Sequence, residues 1–208
     1  GRDQPPLLAI PKGQTMSVPR QQSKLVFFFT AAGHFLFHLL TALYLTVVLV
    51  LEIDWQQSYD SLVALWTLGA LLVGLGAPLA GWLSDRWGKG QMMVLYFLGI
   101  GLATTFCGLT EGPQSLTLGL AVMGLFGAIY HPVGSAWLVA NVHAKGKALG
   151  VIGIFGAIGV ALASLTAGTL IEIDSWHLAF ILPGLISVGI GFLLWGLLAR
   201  GHIIEREQ

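Results

Sequence analysis

Between two long apolar runs the chain reads Gly81-Trp82-Leu83-Ser84-Asp85-Arg86-Trp87-Gly88-Lys89, a cluster of charged and glycine residues. Charges at the end of an apolar run are typical of a membrane surface, where two spanning helices are joined. Gly81 would let these helices approach each other, and Gly88 permits a backbone bend that bulkier residues resist. Asp85 supplies a carboxylate near the start of the second helix, where negative charge is favourable. The stretch therefore predicts a tight turn between two membrane-spanning helices.

The composition of the whole chain agrees with a membrane location. Of its 208 residues, 55% are hydrophobic and only 10% are charged, and the mean hydropathy of +0.80 is too high for an ordinary soluble domain. A net charge of zero argues against a nucleic-acid partner. The sequence shows no Walker loop, no metal-ligand motif and no Ser/His/Asp pattern. We therefore expect no enzyme, no bound metal and no other cofactor.

Six stretches are long and apolar enough to cross a bilayer, whose hydrocarbon core of about 30 Å requires about 20 helical residues. These stretches are residues 25–51, 61–83, 91–110, 114–140, 148–171 and 177–199. The pattern predicts an all-α integral membrane fold with six transmembrane helices.

The chain outside these stretches divides into two short segments. Residues 1–23 contain four prolines among polar neighbours and are predicted to be a disordered tail. They are not a signal peptide, since they lack a short apolar core followed by a cleavage site. Residues 24–199 are predicted to be the six-helix unit, and residues 200–208 the start of a linker or a C-terminal tail.

Charge places the six helices in the membrane with one orientation. The basic residues are Arg2, Lys12, Arg20, Lys24, Arg86, Lys89, Lys145, Lys147, Arg200 and Arg206, and all fall on one side of the predicted topology. The opposite loops carry only acidic charges, at Glu52, Asp54, Asp60, Glu111, Glu172 and Asp174. By the positive-inside rule the basic side is cytoplasmic. We predict a multi-pass protein of the inner or plasma membrane with both termini in the cytoplasm.

The turn that follows the second span resembles a known signature. Its letters are similar to G-x-L-a-D-r-x-G-r/k, the motif between the second and third helices of the major facilitator superfamily of secondary transporters. The resemblance extends from about Lys24 to Arg200 and implies the N-terminal six-helix half of such a transporter, built as an inverted repeat of three plus three helices. It also implies a cytoplasmic gate, in which the carboxylate of the turn bonds a helix end of the other half. The gate motif would comprise Gly81, Asp85, Arg86, Gly88 and Lys89.

The fourth span contains Tyr130-His131-Pro132-Val133-Gly134 in an otherwise apolar run. Polar groups at such depth are costly and usually face a cavity, and proline frees a carbonyl one turn back and kinks the helix. A packing kink with a histidine bonded to a neighbouring carbonyl is the alternative. The string His-Pro-x-Gly resembles the fosmidomycin-resistance-like branch of the superfamily.

The first span has one polar stripe, formed by Thr30, His34, His38 and Thr41. Residues four apart lie on one face of a helix, so the two imidazoles are neighbours. Counted at about 1.5 Å per residue from the cytoplasmic ends, His34 and His131 lie at a similar depth of roughly 15 Å and could line the same cavity. The stretch resembles the His-Phe-x-x-Asp pattern of the fosmidomycin-resistance-like branch, with His38 at the acid position. A histidine can carry a proton near neutral pH, although backbone carbonyls could equally satisfy both rings.

The fifth span carries small residues at three- and four-residue spacing, which permit a close helix crossing. The packing motif comprises Gly156, Gly159 and Gly168. It resembles the antiporter signature g-x-x-x-G-P-x-x-g-G, with Ser164 at the proline position, and a generic packing stripe explains it equally well.

Together these features predict a secondary active transporter that moves a small organic solute by alternating access, with coupling to protons as an open option. The substrate or proton pathway would be formed by His34, His38, Thr41, Tyr130 and His131. Its partners would be the solute, the lipid bilayer and a second six-helix half, which would be the continuing polypeptide, a second copy or a partner chain.

Two other classes of protein remain open at this stage. One is a haem-binding redox protein of the membrane, with His34 and His131 as axial ligands on facing helices. The other is a half-size membrane subunit that does not transport and lends its helices to a partner.

Overall fold

The structure is a computed structural model that describes residues 19–205. Within this range all regular elements are helical. They are α1 (Arg20–Asp54), α2 (Tyr59–Ala64), α3 (Thr67–Trp87), α4 (Lys89–Cys107), α5 (Pro113–Gly127), a π-helical turn (Tyr130–Gly134), α6 (Ser135–Asn141), α7 (Lys145–Ile173) and α8 (Trp176–Ala199). The all-α fold predicted from composition is confirmed.

Six helical segments are long and apolar enough to cross a membrane, as the sequence predicted. The first span is α1, the third α4, the fifth α7 and the sixth α8. The second span joins α2 and α3, and the fourth joins α5, the π-helical turn and α6.

The ends of the predicted segments need one correction. Helix α1 begins at Arg20, so the boundary drawn after residue 23 is wrong by four residues, which are helical and not part of a tail. Residues 1–18 and 206–208, on which the rest of the two terminal predictions falls, lie outside the described range. The last described residues fold back onto the bundle, since the amide of Gln22 donates to the carbonyl oxygen of Ile204 at 2.9 Å.

The packing of the spans has an internal symmetry. Helix α1 packs along α7, α3 along α5 and the π-helical turn, and α4 along α8. In terms of spans these pairs are first with fifth, second with fourth, and third with sixth. When the first, second and third spans are exchanged with the fourth, fifth and sixth, the pair of first and fifth spans becomes the pair of second and fourth spans. The pair of third and sixth spans is unchanged. These three pairs are arranged as expected of a three-plus-three repeat, whereas α4 also packs extensively along α5, a contact of the third and fourth spans that the first and sixth spans match only weakly.

The fourth span deviates from α-helical geometry at its proline. Pro132 lacks the N–H that an α-helix would use, and its ring would clash with the carbonyl of the preceding turn. The backbone widens there into the π-helical turn Tyr130–Gly134, a local departure from α-helical geometry at the predicted position. Such turns often occur at functional sites, because they change the direction in which side chains project.

Helices α3 and α5 cross with their backbones in contact. A Cβ atom at Gly69 would lie 2.6 Å from the carbonyl oxygen of Leu120, and one at Gly124 would lie 2.7 Å from the Cα of Gly69. Real Cβ atoms do not come so close to backbone atoms. Small residues at both positions are therefore a steric requirement of this crossing.

Gly124→Ala is expected to destabilise the folded chain by about 1–3 kcal/mol, because the added methyl group forces α3 and α5 apart. Gly74→Ala on α3 is the matched control, since no atom lies within 4 Å of its Cβ position. Thermal unfolding in detergent should show a lower midpoint for the first variant and an unchanged or higher midpoint for the second. Equal midpoints for both variants would contradict the crossing.

Candidate functional site

Three imidazoles meet inside the bundle. His34 and His38 project from adjacent turns of α1, and His131 projects from the π-helical turn of the fourth span. One ring nitrogen from each residue lies within 4.8 Å of those of the other two. We call these three residues the histidine cluster. The structure therefore brings together three of the predicted pathway residues, from positions up to 97 apart in the chain.

The histidine cluster lies near the middle of the first span. Helix α1 has 35 residues and is about 52 Å long, and His34 lies about 21 Å from its start at Arg20. The side chains of His34 and His38 are partly buried, whereas His131 is exposed at the surface of the chain. The cluster is thus open on the side of His131.

The hydrogen bonds of the cluster select the tautomers of its neutral rings. Nδ1 of His34 lies 2.7 Å from the carbonyl oxygen of Ile152 on α7, and a carbonyl can only accept. This nitrogen therefore carries the proton, and Nε2 of a neutral His34 has a free lone pair. Nε2 of His38 lies 3.1 Å from that lone pair and donates to it. The pair is satisfied without any charge.

Aromatic rings pack against His34 and His131 of the histidine cluster. Tyr130 stacks on His34 with ring centroids 5.1 Å apart, and Phe37 meets His131 edge to face at 4.9 Å. The Tyr130 hydroxyl donates to the carbonyl oxygen of Thr30 at 2.7 Å, and the whole residue is buried. Tyr130 therefore supports the imidazole of His34, and it does not line the open side as the sequence analysis expected.

Two other sequence-based expectations concern the same region. The hydroxyl of Thr41 donates to the carbonyl oxygen of Phe37 within its own helix at 2.8 Å, so it is already satisfied by the backbone. The haem hypothesis needs a macrocycle between His34 and His131, but their ring centroids are 5.4 Å apart and aromatic rings pack against both. This packing leaves no slot for a porphyrin, and the hypothesis is not favoured.

Two glycines of the fifth span allow the close helix approach beside the histidine cluster. A Cβ atom at Gly156 would lie 2.7 Å from Cε1 of His34, and one at Gly159 would collide with the backbone of Phe35. These two residues let α7 approach α1, in the way the packing motif predicted. Gly168, the third residue of the motif, has open space around its Cβ position and is not needed for the crossing.

Gly156→Ala is expected to cost about 1–3 kcal/mol of stability, because the methyl group displaces the imidazole of His34. In a His34→Ala background the same substitution should cost less than about 0.5 kcal/mol, since the atom it strikes has been removed. Thermal unfolding of the four proteins of this cycle measures the coupling. Gly153→Ala, whose Cβ position is open, is the control and should be neutral in both backgrounds. A full penalty that persists without His34 would contradict the contact.

The turn between the second and third spans has the predicted bend. Gly88 has a φ of +96°, a conformation that favours glycine. Asp85 is largely exposed, and one of its carboxylate oxygens lies 3.7 Å from Nζ of Lys89. The guanidinium of Arg86 lies over the ring of Trp82 at 3.7 Å.

One expectation for this turn is wrong. A Cβ atom at Gly81 would meet only Pro132, at an ordinary contact distance of 3.9 Å. Gly81 is therefore not required for a close helix approach in this conformation.

A polar pocket of about 440 Å³ lies beside this turn, on the basic side of the bundle. It includes Glu205, a residue that the sequence analysis did not single out. The carboxylate of Glu205 accepts a hydrogen bond from the backbone N–H of Gly90 in the first turn of α4. Burial is the main cause that raises the pKa of Glu205, and the Gly90 N–H and Lys89 partly offset it. An acid that follows the last span was the only signal in the sequence.

Glu205→Gln is expected to stabilise the chain slightly at neutral pH. Since the folded-state pKa is raised, the folded chain binds this proton more tightly than the unfolded chain does. That contribution to stability is present at low pH and is lost as the pH rises through the folded pKa. The unfolding midpoint of the variant should therefore equal that of the wild type near about pH 4 and match or exceed it at pH 7. Glu205→Ala, which removes the acceptor, should be less stable than Glu205→Gln at both pH values, and the reverse order would contradict the contact.

The fold and the site together define a multi-pass membrane protein with polar side chains at the centre of its helical bundle. Comparison with known proteins identifies the family. Residues 27–206 match the model of the major facilitator superfamily. The chain belongs to that superfamily, as its turn motif indicated.

Curated relatives are bacterial proteins named for drug resistance. MdtD of Salmonella typhimurium, named for multidrug resistance, is 30% identical over 141 residues, which are 66% of this chain and 30% of MdtD. The puromycin resistance protein pur8 of Streptomyces alboniger is 31% identical over 117 residues, which are 54% of this chain and 23% of that protein. The chain therefore spans less than a third of the length of these relatives.

A solved structure shows the same fold. The crystal structure of PepTSo, a POT family transporter, superposes with a TM-score of 0.67 and 22% sequence identity. The match covers 90% of this chain and 39% of PepTSo. At this identity the likeness concerns the fold alone.

Proposed function

We propose that this chain is the N-terminal half of a secondary active transporter that moves a small organic solute by alternating access. The observation that carries the proposal is the histidine cluster in the middle of the bundle. The six predicted spans contain no Asp, Glu, Lys or Arg, so these three rings are a rare concentration of strongly polar groups at that depth. Polar side chains inside a membrane usually mark a pathway.

A second six-helix half would complete this pathway. His131 is exposed in the isolated chain, and an imidazole that faces hydrocarbon is costly. The spans beside it are also uncovered: only 11% of the most apolar window of the second span and 28% of that of the fifth are buried, against 61% for the third and fourth. Helix α3 of the second span contacts the π-helical turn, and α7 contacts His34. The two least buried spans therefore both contact elements of the histidine cluster, and we expect a second half packed against them to enclose it.

Three sources can supply that second half: the continuing polypeptide, a second copy of the chain, or a different chain. The extent of the matches favours the first of these, because the relatives are more than twice as long as the part that aligns.

The basic side of the bundle supplies the proposed gate. Among residues 19–205 the exposed carboxylate of Asp85 has one ion pair, with Lys89, and we expect it to be available to a helix end of the other half. Arg86 and Lys89 also mark this side as cytoplasmic by the positive-inside rule, with both termini in the cytoplasm and the protein in the inner or plasma membrane. Division of the chain into a tail, a six-helix unit and a linker or C-terminal tail is part of the same proposal.

Proton coupling stays a prediction of the sequence. The names of the relatives, which refer to multidrug and puromycin resistance, suggest puromycin and other drugs as first solutes to try. Export against a concentration gradient needs an energy source, and a proton gradient is the one that a protonophore removes.

Cells that express the full-length protein are expected to accumulate less puromycin and less ethidium than cells with an empty vector. Asp85→Asn should abolish most of this difference, because the gate loses its charge, at an unchanged level of protein in the membrane. Glu111→Gln is the matched control, since Glu111 is an exposed acid on the opposite side. A protonophore should raise accumulation if protons drive export. Equal accumulation with and without the wild-type protein would favour the half-size subunit that does not transport.

A further inference from the structure

We infer that the histidine cluster is a binding site for a divalent first-row transition-metal ion such as Zn²⁺, Co²⁺ or Ni²⁺. The lack of a compact ligand motif in the sequence predicted no metal. The ligands are instead a His-x-x-x-His pair on α1 and a third histidine from the π-helical turn of the fourth span. The metal site itself is independent of the proposed function, whereas its place in a solute pathway rests on that function.

The distances between the ring nitrogens suit a single ion. Two nitrogens that bind one tetrahedral Zn²⁺ at about 2.0 Å lie about 3.3 Å apart. Nε2 of His34 and Nε2 of His38 are 3.1 Å apart, close to that value. Binding requires the proton of His38 to move from Nε2 to Nδ1, so that the hydrogen bond between the two rings is replaced by two bonds to the ion. The nitrogen of His131 lies within 4.8 Å of both. Because His131 is exposed, a rotation of its side chain can bring it to the remaining coordination position.

The residues around His34 fix the orientation of its ring. Its Nδ1–H donates to the carbonyl oxygen of Ile152, which leaves the Nε2 lone pair on the side of His38. Metal-binding histidines almost always donate their other ring N–H to a carbonyl or carboxylate in this way, which fixes the ring and its tautomer. Tyr130, stacked on one face, and Gly156, which leaves room at the ring edge, hold the same orientation.

The donor set selects the class of metal. Imidazole nitrogens suit Zn²⁺, Ni²⁺, Co²⁺ and Cu²⁺, whereas Mg²⁺ and Ca²⁺ require oxygen ligands. Three histidines with an open fourth position form a known type of zinc site. The three neutral rings leave the charge of the ion uncompensated, and the predicted spans provide no carboxylate. The fourth position would therefore attract an anionic donor, such as a carboxylate of a solute, from the open side.

Metal binding can be measured on the untagged full-length protein in lipid nanodiscs, with Co²⁺ as the probe and Zn²⁺ as the competitor. We expect one Co²⁺ per chain, displaced by Zn²⁺ and not by Mg²⁺ in large excess. His38→Gln and His131→Gln should each weaken Co²⁺ binding at least about tenfold. His143→Gln, at an exposed loop position, is the matched control and should bind as the wild type does. Equal Co²⁺ affinity in all four proteins would overturn the inference.

A cysteine variant tests ligation directly. In His131→Cys a thiolate replaces one imidazole, and a thiolate bound to Co²⁺ gives an intense near-ultraviolet charge-transfer band. The wild type should lack this band, because Cys107, the cysteine of the 208 residues described by this sequence, is fully buried and lies outside the histidine cluster. His143→Cys serves as the control for a thiol outside the cluster. A band at His131→Cys alone supports the site, and its absence in a variant that still binds Co²⁺ excludes residue 131 as a ligand and overturns the three-histidine site.

Flux measurements distinguish a failure of the metal site from a failure of the proposed function. Vesicles that contain the protein are tested for Zn²⁺ flux and, with and without Zn²⁺, for puromycin flux. Flux of Zn²⁺ would identify the ion as cargo, and puromycin flux that needs Zn²⁺ would identify it as a bridge to the solute. If Co²⁺ binds as expected but neither flux occurs, the metal site stands and the proposed function fails. If puromycin is transported but Co²⁺ binding is the same in the cluster variants, the proposed function stands and the metal site fails.

Discussion

The absence of water from a bilayer is the constraint on which this structure depends. A polar group in hydrocarbon must find its partner within the protein, and each group that does not costs several kcal/mol. Within residues 19–205 no buried side-chain nitrogen or oxygen lacks a hydrogen-bond partner. Buried hydroxyls such as those of Thr30 and Thr104 bond to carbonyls of their own helix, and that of Tyr130 reaches across to α1. The same requirement explains why His34 donates to a carbonyl of α7 and accepts from His38.

Close helix packing follows from the same absence of water in the bilayer. Lipid tails are as apolar as leucine, so the helices gain little from apolar burial and must associate through contact and hydrogen bonding. Glycines allow this where backbones or bulky rings meet, at Gly124 against α3 and at Gly156 against the His34 ring. The second of these contacts links packing to function, because the approach of α7 determines where the imidazole can lie. The geometry of the histidine cluster therefore depends directly on how the helices pack.

Several parts of the fold were predictable from local patterns. Long apolar runs between charged turns predict the six spans, Gly88 predicts the bend, and Pro132 predicts the departure from α-helical geometry, since each depends on a few neighbouring residues. The role of Gly81 was predicted wrongly, because whether a glycine faces another helix depends on the rotation of its own helix. Glu205 was missed because its partner, the N–H of Gly90, is 115 residues away and belongs to the backbone.

The sequence alone determined that the chain spans a membrane six times and belongs to the class of proteins that its turn motif indicates, because apolar length and charge position are local properties. It also placed His34 and His131 at a comparable depth. Only the tertiary structure decided that the three rings meet, that one proton of His34 points to Ile152, and that Tyr130 stands behind the cluster instead of lining it. Those facts depend on how helices rotate and cross, which is set by contacts between distant residues and by the widened turn at Pro132.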